Sequence, residues 1–327
     1  MIRILYQDKH GTVMTDLPLE KLAEILAERS GVLWLDFDGE SATTVEPMLN
    51  STFNFHPLAI DDALHESHVP KVDDWQAYLY VVLRAVAYSE KAKQLQVPEL
   101  DVFLGPTYVV TYHSKPVGAL EHVWAVCQAD ARWLKRGAAH LLYRLVDQLV
   151  SDAVTGVEQM NEDLDQLEDE IFSEVEPSTL AGLFALKHDI LQLRRIVTPS
   201  RDVFNKMSRN SYTVIDDTDR LFFRDVYDHL MQLDDLLNDM LILVGSALDT
   251  YLSVVNNRMN DIMKTLTVIT AFFMPLAFIT GFFGMNFFQA SAQLDNWTGS
   301  LALIVVLIFM AVTPLIMFFW MRRRSWI

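Results

Sequence analysis

Charge is missing from two long stretches of this 327-residue chain: none occurs from Leu266 to Met285, and none from Leu301 to Trp320. Each run is about 20 residues, which at ~1.5 Å rise per residue spans about 30 Å, the hydrocarbon thickness of a bilayer. Two such runs in succession are poorly suited to the core of a soluble domain and predict two transmembrane helices. Cysteine is nearly absent, with Cys127 alone; this excludes an intrachain disulfide and fits a reducing compartment for the soluble part. No long apolar segment follows Met1, so no signal peptide is expected. Basic residues are scarce, 26 Lys and Arg against 43 Asp and Glu, giving a net charge of −17. So acidic a chain argues against nucleic acid as a partner. There is no Walker loop, no Gly-x-Ser-x-Gly, no paired-His metal helix and no dinucleotide fingerprint, which argues against an enzyme.

The basic residues that are present lie informatively. Arg258 and Lys264 precede the first apolar run, and Arg322, Arg323 and Arg324 follow the second. The segment between, Asn286 to Ser300, carries only Asp295. The positive-inside rule then places both termini in the cytoplasm and the short loop outside, with Trp297, Trp320 and Trp326 near the interfaces.

Residues 1–135 read as a mixed α/β domain. Strands are expected at Val32 to Phe37, Tyr78 to Ala87, Asp101 to Leu104 and Tyr108 to Tyr112, the last two joined as a hairpin through Gly105-Pro106. Helices are expected at Leu17 to Arg29, Val45 to Phe53 and Pro57 to Leu64. Residues 136–265 read as long helices. Val157, Met160, Leu164, Leu167 and Ile171 form one apolar stripe. Pro177 interrupts it, Ser178 suits the next N-cap, and Pro199 is expected to end or kink the second helix. Val226, Leu230, Leu233, Leu237, Met240 and Val244 mark a third. No Pro or Gly falls between Ser246 and Met274, so this third helix can run unbroken into the first span and carry motion to it. The remaining segments are a first span over 266–286, an external loop over 287–300, a second span over 301–321 and a basic tail over 322–327. From Asp152 to Glu176 there are ten acids and no Lys or Arg, which reads as a solvated helix face or as a sink for cations.

At the outer end of the first run stands Gly284-Met285-Asn286. By residue chemistry Asn286 fits two roles equally well. It can cap a helix, or it can offer a neutral carbonyl to the water shell of a small hard cation. Mg²⁺ gives up its waters reluctantly, and a neutral ring releases an ion faster than carboxylates would.

The stretch Asn256-Asn257-Arg258-Met259-Asn260-Asp261-Ile262-Met263-Lys264, continuing through Phe273-Met274-Pro275 to Gly284-Met285-Asn286-Phe287, resembles the pore helix of the CorA family of magnesium transporters. His56-Pro57-Leu58-Ala59-Ile60-Asp61-Asp62 and Pro70-Lys71-Val72-Asp73-Asp74 resemble its cytoplasmic domain, and Arg322-Arg323-Arg324-Ser325-Trp326-Ile327 its basic tail. The resemblance implies an α+β, α/β/α sandwich-like cytoplasmic domain, long stalk helices and two C-terminal transmembrane helices in a funnel-shaped homopentamer of the inner (cell) membrane. It implies transport of hydrated Mg²⁺, with Co²⁺ or Ni²⁺ as further cargo, and no organic cofactor. Gly284, Met285 and Asn286 would form the selectivity filter. Asp249, Asn260, Met263, Leu266 and Met274 would line the pore and its gate; the three-residue steps at 260, 263 and 266 share a face, and 274 returns near it. A regulatory Mg²⁺ between protomers would be held by Asp225 and by Ser89 or its neighbour Glu90. Ser89 departs from the acid the family places there. The external loop, Phe288 to Asp295, and Ala277 also depart from the magnesium members' pattern. Two other readings stay open: a proton-coupled zinc transporter of the ZntB type, to which His65 and His68 would add little, and a membrane-tethered sensor that transports nothing.

Overall fold

The computed structural model describes residues 1–15, 17–65, 69–89, 94–173, 176–285 and 300–324. It divides into two units, Met1–Leu248 and Asp249–Ile327.

The first unit is built on a seven-stranded sheet. Its strands are β1 (Ile2–Gln7), β2 (Val13–Thr15), β3 (Val32–Asp38), β4 (Lys71–Asp74), β5 (Leu79–Arg84), β8 (Glu99–Leu104) and β9 (Tyr108–His113), in the order β2-β1-β3-β9-β8-β5-β4. Two further short strands, β6 (Ala87–Ser89) and β7 (Gln94–Gln96), pair only with each other. Among the described residues only β3 and β9 run parallel, with Leu35 opposite Val110. Three helices, α1 (Leu22–Glu28), α2 (Ala42–Ser51) and α3 (Pro57–Leu64), cover one face. There Leu33, Leu35, Phe37, Tyr80, Phe103 and Val110 pack with Leu22, Val45, Leu49 and Ile60. On the other face Trp34 meets Trp124 of α4 (Gly118–Ala129), ring centroids 4.7 Å apart. Central strands buried on both sides need no alternation of polar and apolar residues, and β3, β8 and β9 have little.

The run Tyr78 to Ala87, which reads as one strand, is divided. β5 stops at Arg84, whose guanidinium is drawn back to Val97 O (2.9 Å) and Glu99 (2.6 Å), and the chain after it leaves the main sheet for the β6–β7 pair.

The long helices follow: α5 (Ala138–Ser173), α6 (Pro177–Arg209) and α7 (Asp217–Gly284). On α5 Val157, Met160, Leu164 and Ile171 are buried, while most of the acids between Asp152 and Glu170 are exposed or half-buried, as amphipathic periodicity requires. The N-cap of α6 is Glu176 and not Ser178; Pro177 takes the first helical position, where a missing N–H costs nothing. Pro199 does not end α6. Ile196, Val197, Ser200, Val203 and Phe204 are buried on either side of it, and that packing outweighs the one lost hydrogen bond. Asp234 of α7, nearly buried, accepts from Thr198 Oγ1 (3.0 Å) and Arg201 Nη1 (2.9 Å) and so fixes α7 to α6.

A polar cluster lies inside the sheet. Asp36 of β3, fully buried, accepts from Arg3 Nε and Nη2 at 3.0 and 2.7 Å and from Thr111 Oγ1 at 2.6 Å. Trp34 Nε1 donates to the same Thr111 oxygen at 3.1 Å, and Arg3 lies over the Trp124 ring. His113 Nε2 stands 3.4 Å from Asp36, and the two form an ion pair when the imidazole is protonated. Burial alone would hold the His113 pKa down, but Asp36 and the Lys115 carbonyl raise it above the usual histidine value. Burial alone would likewise raise the Asp36 carboxyl, and His113, Thr111 and Arg3 hold it below the usual range.

Two outcomes are expected. Asp36→Ala removes the buried partner of Arg3, leaving it only the exposed Glu121, and lowers the unfolding free energy by about 3–5 kcal/mol, read by chemical denaturation of the full chain. The His113 contribution is complete below its unfolded pKa of 6.5 and disappears as pH rises through the higher folded value. The melting temperature of the wild type should therefore fall on the alkaline side, and His113→Gln should lack that part of the fall.

Candidate ion pathway

In the second unit, α7 reaches Gly284 and is followed among the described residues by α8 (Ser300–Arg323). Both helices contain a stretch long and apolar enough to cross a membrane, and none of either stretch is buried within the chain. Asp249, Asn260, Met263, Leu266 and Met274 all stand exposed on α7. At 3.6 residues per turn they fall within an arc of roughly 120°, with Met285 returning to the same stripe. The stripe is acidic at Asp249, amide at Asn260 and apolar at Met263, Leu266 and Met274. An apolar constriction of this kind can close to ions by dewetting.

Four threonine hydroxyls on α7 are committed to the backbone. Thr267 Oγ1 donates to Met263 O at 2.7 Å and Thr270 Oγ1 to Leu266 O at 2.8 Å, and Thr265 and Thr280 do the same one turn back along the helix. Thr267 and Thr270 fall on the stripe. Gly284 ends the helix, and the Met285 N–H reaches back to Phe282 O at 3.4 Å. Asn286 lies outside the described residues, as do Glu90, His68, Trp297 and Trp326.

The first unit holds the residues expected of a regulatory site. Asp225 is exposed on α7, and Ser89 ends β6. Sequence reasoning missed Asp147, whose charge acts on the same tyrosine as that of Asp225. Burial first, then the charges of Asp147 and Asp225, push the Tyr143 hydroxyl above its usual pKa. Asp147 also receives Arg144 Nη1 at 3.2 Å. It borders a cleft of about 430 Å³ between α5 and α7, with Gln148, Ser151, His229 and Gln232 along its wall. Asp147 and Asp225 lie far apart in sequence on different helices, and no spacing rule joins them. No group of three or more His, Cys, Asp or Glu side chains able to hold a metal is formed among the described residues; within one chain the carboxylates stay short of a closed metal shell.

The family description "CorA-like Mg2+ transporter protein" matches residues 29–323. The chain belongs to this family. CorA membership makes it a membrane transporter of divalent cations and not an enzyme. A cobalt/magnesium transport protein CorA of Thermotoga maritima is 31% identical over 295 residues, covering 90% of this chain and 83% of that protein. A zinc transport protein ZntB of Yersinia pseudotuberculosis is 21% identical over 305 residues, 93% of this chain and 90% of that one. The complete structure of the CorA magnesium transporter from Methanocaldococcus jannaschii superposes with a TM-score of 0.82 at 21% identity, over 99% of this chain and 98% of that one. The CorA fold thus extends over both units, the α+β domain with its long helices and the two apolar C-terminal helices.

Proposed function

We propose that this chain assembles as a homopentamer in the inner (cell) membrane, with both termini cytoplasmic, and admits hydrated Mg²⁺, with Co²⁺ or Ni²⁺ as further cargo. The observation that carries the reading is the exposed stripe Asp249–Asn260–Met263–Leu266–Met274 on one face of α7. Five such faces would surround a path that is polar at its cytoplasmic end and apolar at its throat. Gly284, Met285 and Asn286 would close the outer end with a ring of neutral amides. Similarity to a cobalt/magnesium transport protein, at 31% identity over 90% of this chain, supports this cargo.

No fuel is needed. One charge moved through 100 mV is worth ~2.3 kcal/mol, so a divalent ion gains about 4.6 kcal/mol. At ~1.4 kcal/mol per tenfold, that sustains an inward gradient of roughly three decades. Regulation would follow from Mg²⁺ held between protomers at Asp225, with Glu90 or Ser89 of a neighbour. Asp147 would add a further carboxylate beside it. Ions that bind the closed arrangement better shift the population toward it. The second reading, a proton-coupled zinc transporter, is supported by the ZntB likeness over nearly the whole chain.

Flux into liposomes, with Mg²⁺ and Zn²⁺ indicators in parallel, tests both. An inside-negative potential alone should drive Mg²⁺ entry, and Asn286→Ala should reduce it to the protein-free background. Zn²⁺ entry that requires a pH gradient would transfer the assignment to zinc transport; no flux of either ion would leave the sensor reading. In the same vesicles Asp225→Asn should raise severalfold the internal Mg²⁺ needed to halt entry, and an unchanged threshold would remove Asp225 from the regulatory site.

A further inference from the structure

A second cavity, of about 390 Å³, opens at the end of the sheet where β3 and β9 begin. Arg29, Phe53, Gln76, Thr107, Tyr108 and Thr213 are among the residues that line it. Arg29 is the single charged residue in the lining, in a chain whose net charge is −17, and it pairs with no acid among the described residues.

The backbone around this cavity is unusual. Among the described residues only Arg29, Asn54 and Gln76 are non-glycine residues with left-handed backbone, at φ 48°, 55° and 66°. Arg29 and Gln76 line the cavity, and Asn54 follows Phe53, which also lines it. Arg29 is the C-cap of α1, a place where glycine is usual because it escapes the steric penalty. Strain held at several points around one hollow marks a functional site more often than chance. An arginine kept where glycine fits better directs attention to its side chain.

The rest of the wall defines what would fit. Phe53 and Tyr108 present rings with centroids 5.2 Å apart, tilted by 60°, which suits a third ring stacked on one and meeting the edge of the other. Tyr108 is seated against the turn because Gly105 has no Cβ; one there would lie 2.2 Å from the tyrosine ring. Burial pushes the Tyr108 hydroxyl up in pKa, so it stays a neutral phenol. The volume lies in the range of small-molecule sites.

We propose that this cavity binds a small organic anion that carries a flat ring, with the anionic group on Arg29 and the ring against Phe53 and Tyr108. Thr213 belongs to the connection between α6 and α7, and its hydroxyl donates to the Gln76 carbonyl. An occupant would therefore tie the end of α1, the β4–β5 turn and the approach to α7 together. This site shares no residue with the ion path or with the Asp225 region, so its test needs no transport measurement.

The experiment is calorimetric titration of the full-length protein in detergent at constant Mg²⁺, with AMP, benzoate and inorganic phosphate as probes and melting curves alongside. AMP or benzoate should bind saturably at one site per chain, and AMP more tightly than phosphate. Arg29→Gly suits the left-handed backbone, so its ligand-free melting temperature should be no lower than wild type. Its affinity for the organic anion should fall by about tenfold or more, the worth of a lost charge-assisted hydrogen bond. Absence of saturable binding by both organic anions, equal affinity in Arg29→Gly, or phosphate binding as tightly as AMP would each overturn the proposal.

Discussion

Apolar surface without a partner inside the chain is the constraint on which the second unit depends. Phe273, Met274 and Phe278 on α7 and Leu301, Phe309 and Phe319 on α8 are among the most exposed large side chains in the protein. In water such surface would drive association. In a bilayer it is at rest, provided that the backbone satisfies its own hydrogen bonds, and a helix does. The same reasoning separates the two faces of α7. Side chains toward lipid need only be apolar, whereas a face that carries Asp249 and Asn260 has to meet water or another chain.

The first unit obeys the opposite constraint, for its sheet is covered on both faces. The buried carboxylates of that sheet survive burial because each is answered: Asp36 by Arg3 and Thr111, Glu99 by Arg84, Asp101 by the Tyr80 hydroxyl at 2.6 Å. Asp36 also joins three strands and, through Arg3 and Glu121, the helix α4. It thereby fixes the register of the sheet's one parallel pair, where a slip would leave a bare carboxylate in the interior.

Much of this was legible in the residues. Pro57 to Leu64 is a helix with the bounds that its proline start and apolar spacing suggest, and the Gly105-Pro106 turn does join two antiparallel strands. The uninterrupted run after Ser246 correctly foretold a single helix into the first apolar stretch. Other features were hidden for physical reasons. β4 is a polar edge strand, Lys-Val-Asp-Asp, which no hydrophobic period reveals. Pro199 has the sequence mark of a helix end, and only tertiary packing overrides it. At the candidate sites, the stripe on α7 could be read because it lies on one helix. The neighbourhood of Asp147 and Asp225, and the cavity at Arg29, could not, because they arise where distant segments meet.

The threonine hydroxyls of α7 have a consequence for ions. Once Thr267 and Thr270 give their protons to the helix backbone, what each side chain offers outward is lone pairs alone. A wall of this kind has a polarity without a net charge. It can accept from the waters around a cation, whose hydrogens point away from the ion, but it has no donor for the shell of an anion. Along the part of a path that Thr267 and Thr270 line, the sign of the permeating ion would be chosen by the direction of hydrogen bonds, and the ion would pass that level without a carboxylate to hold it.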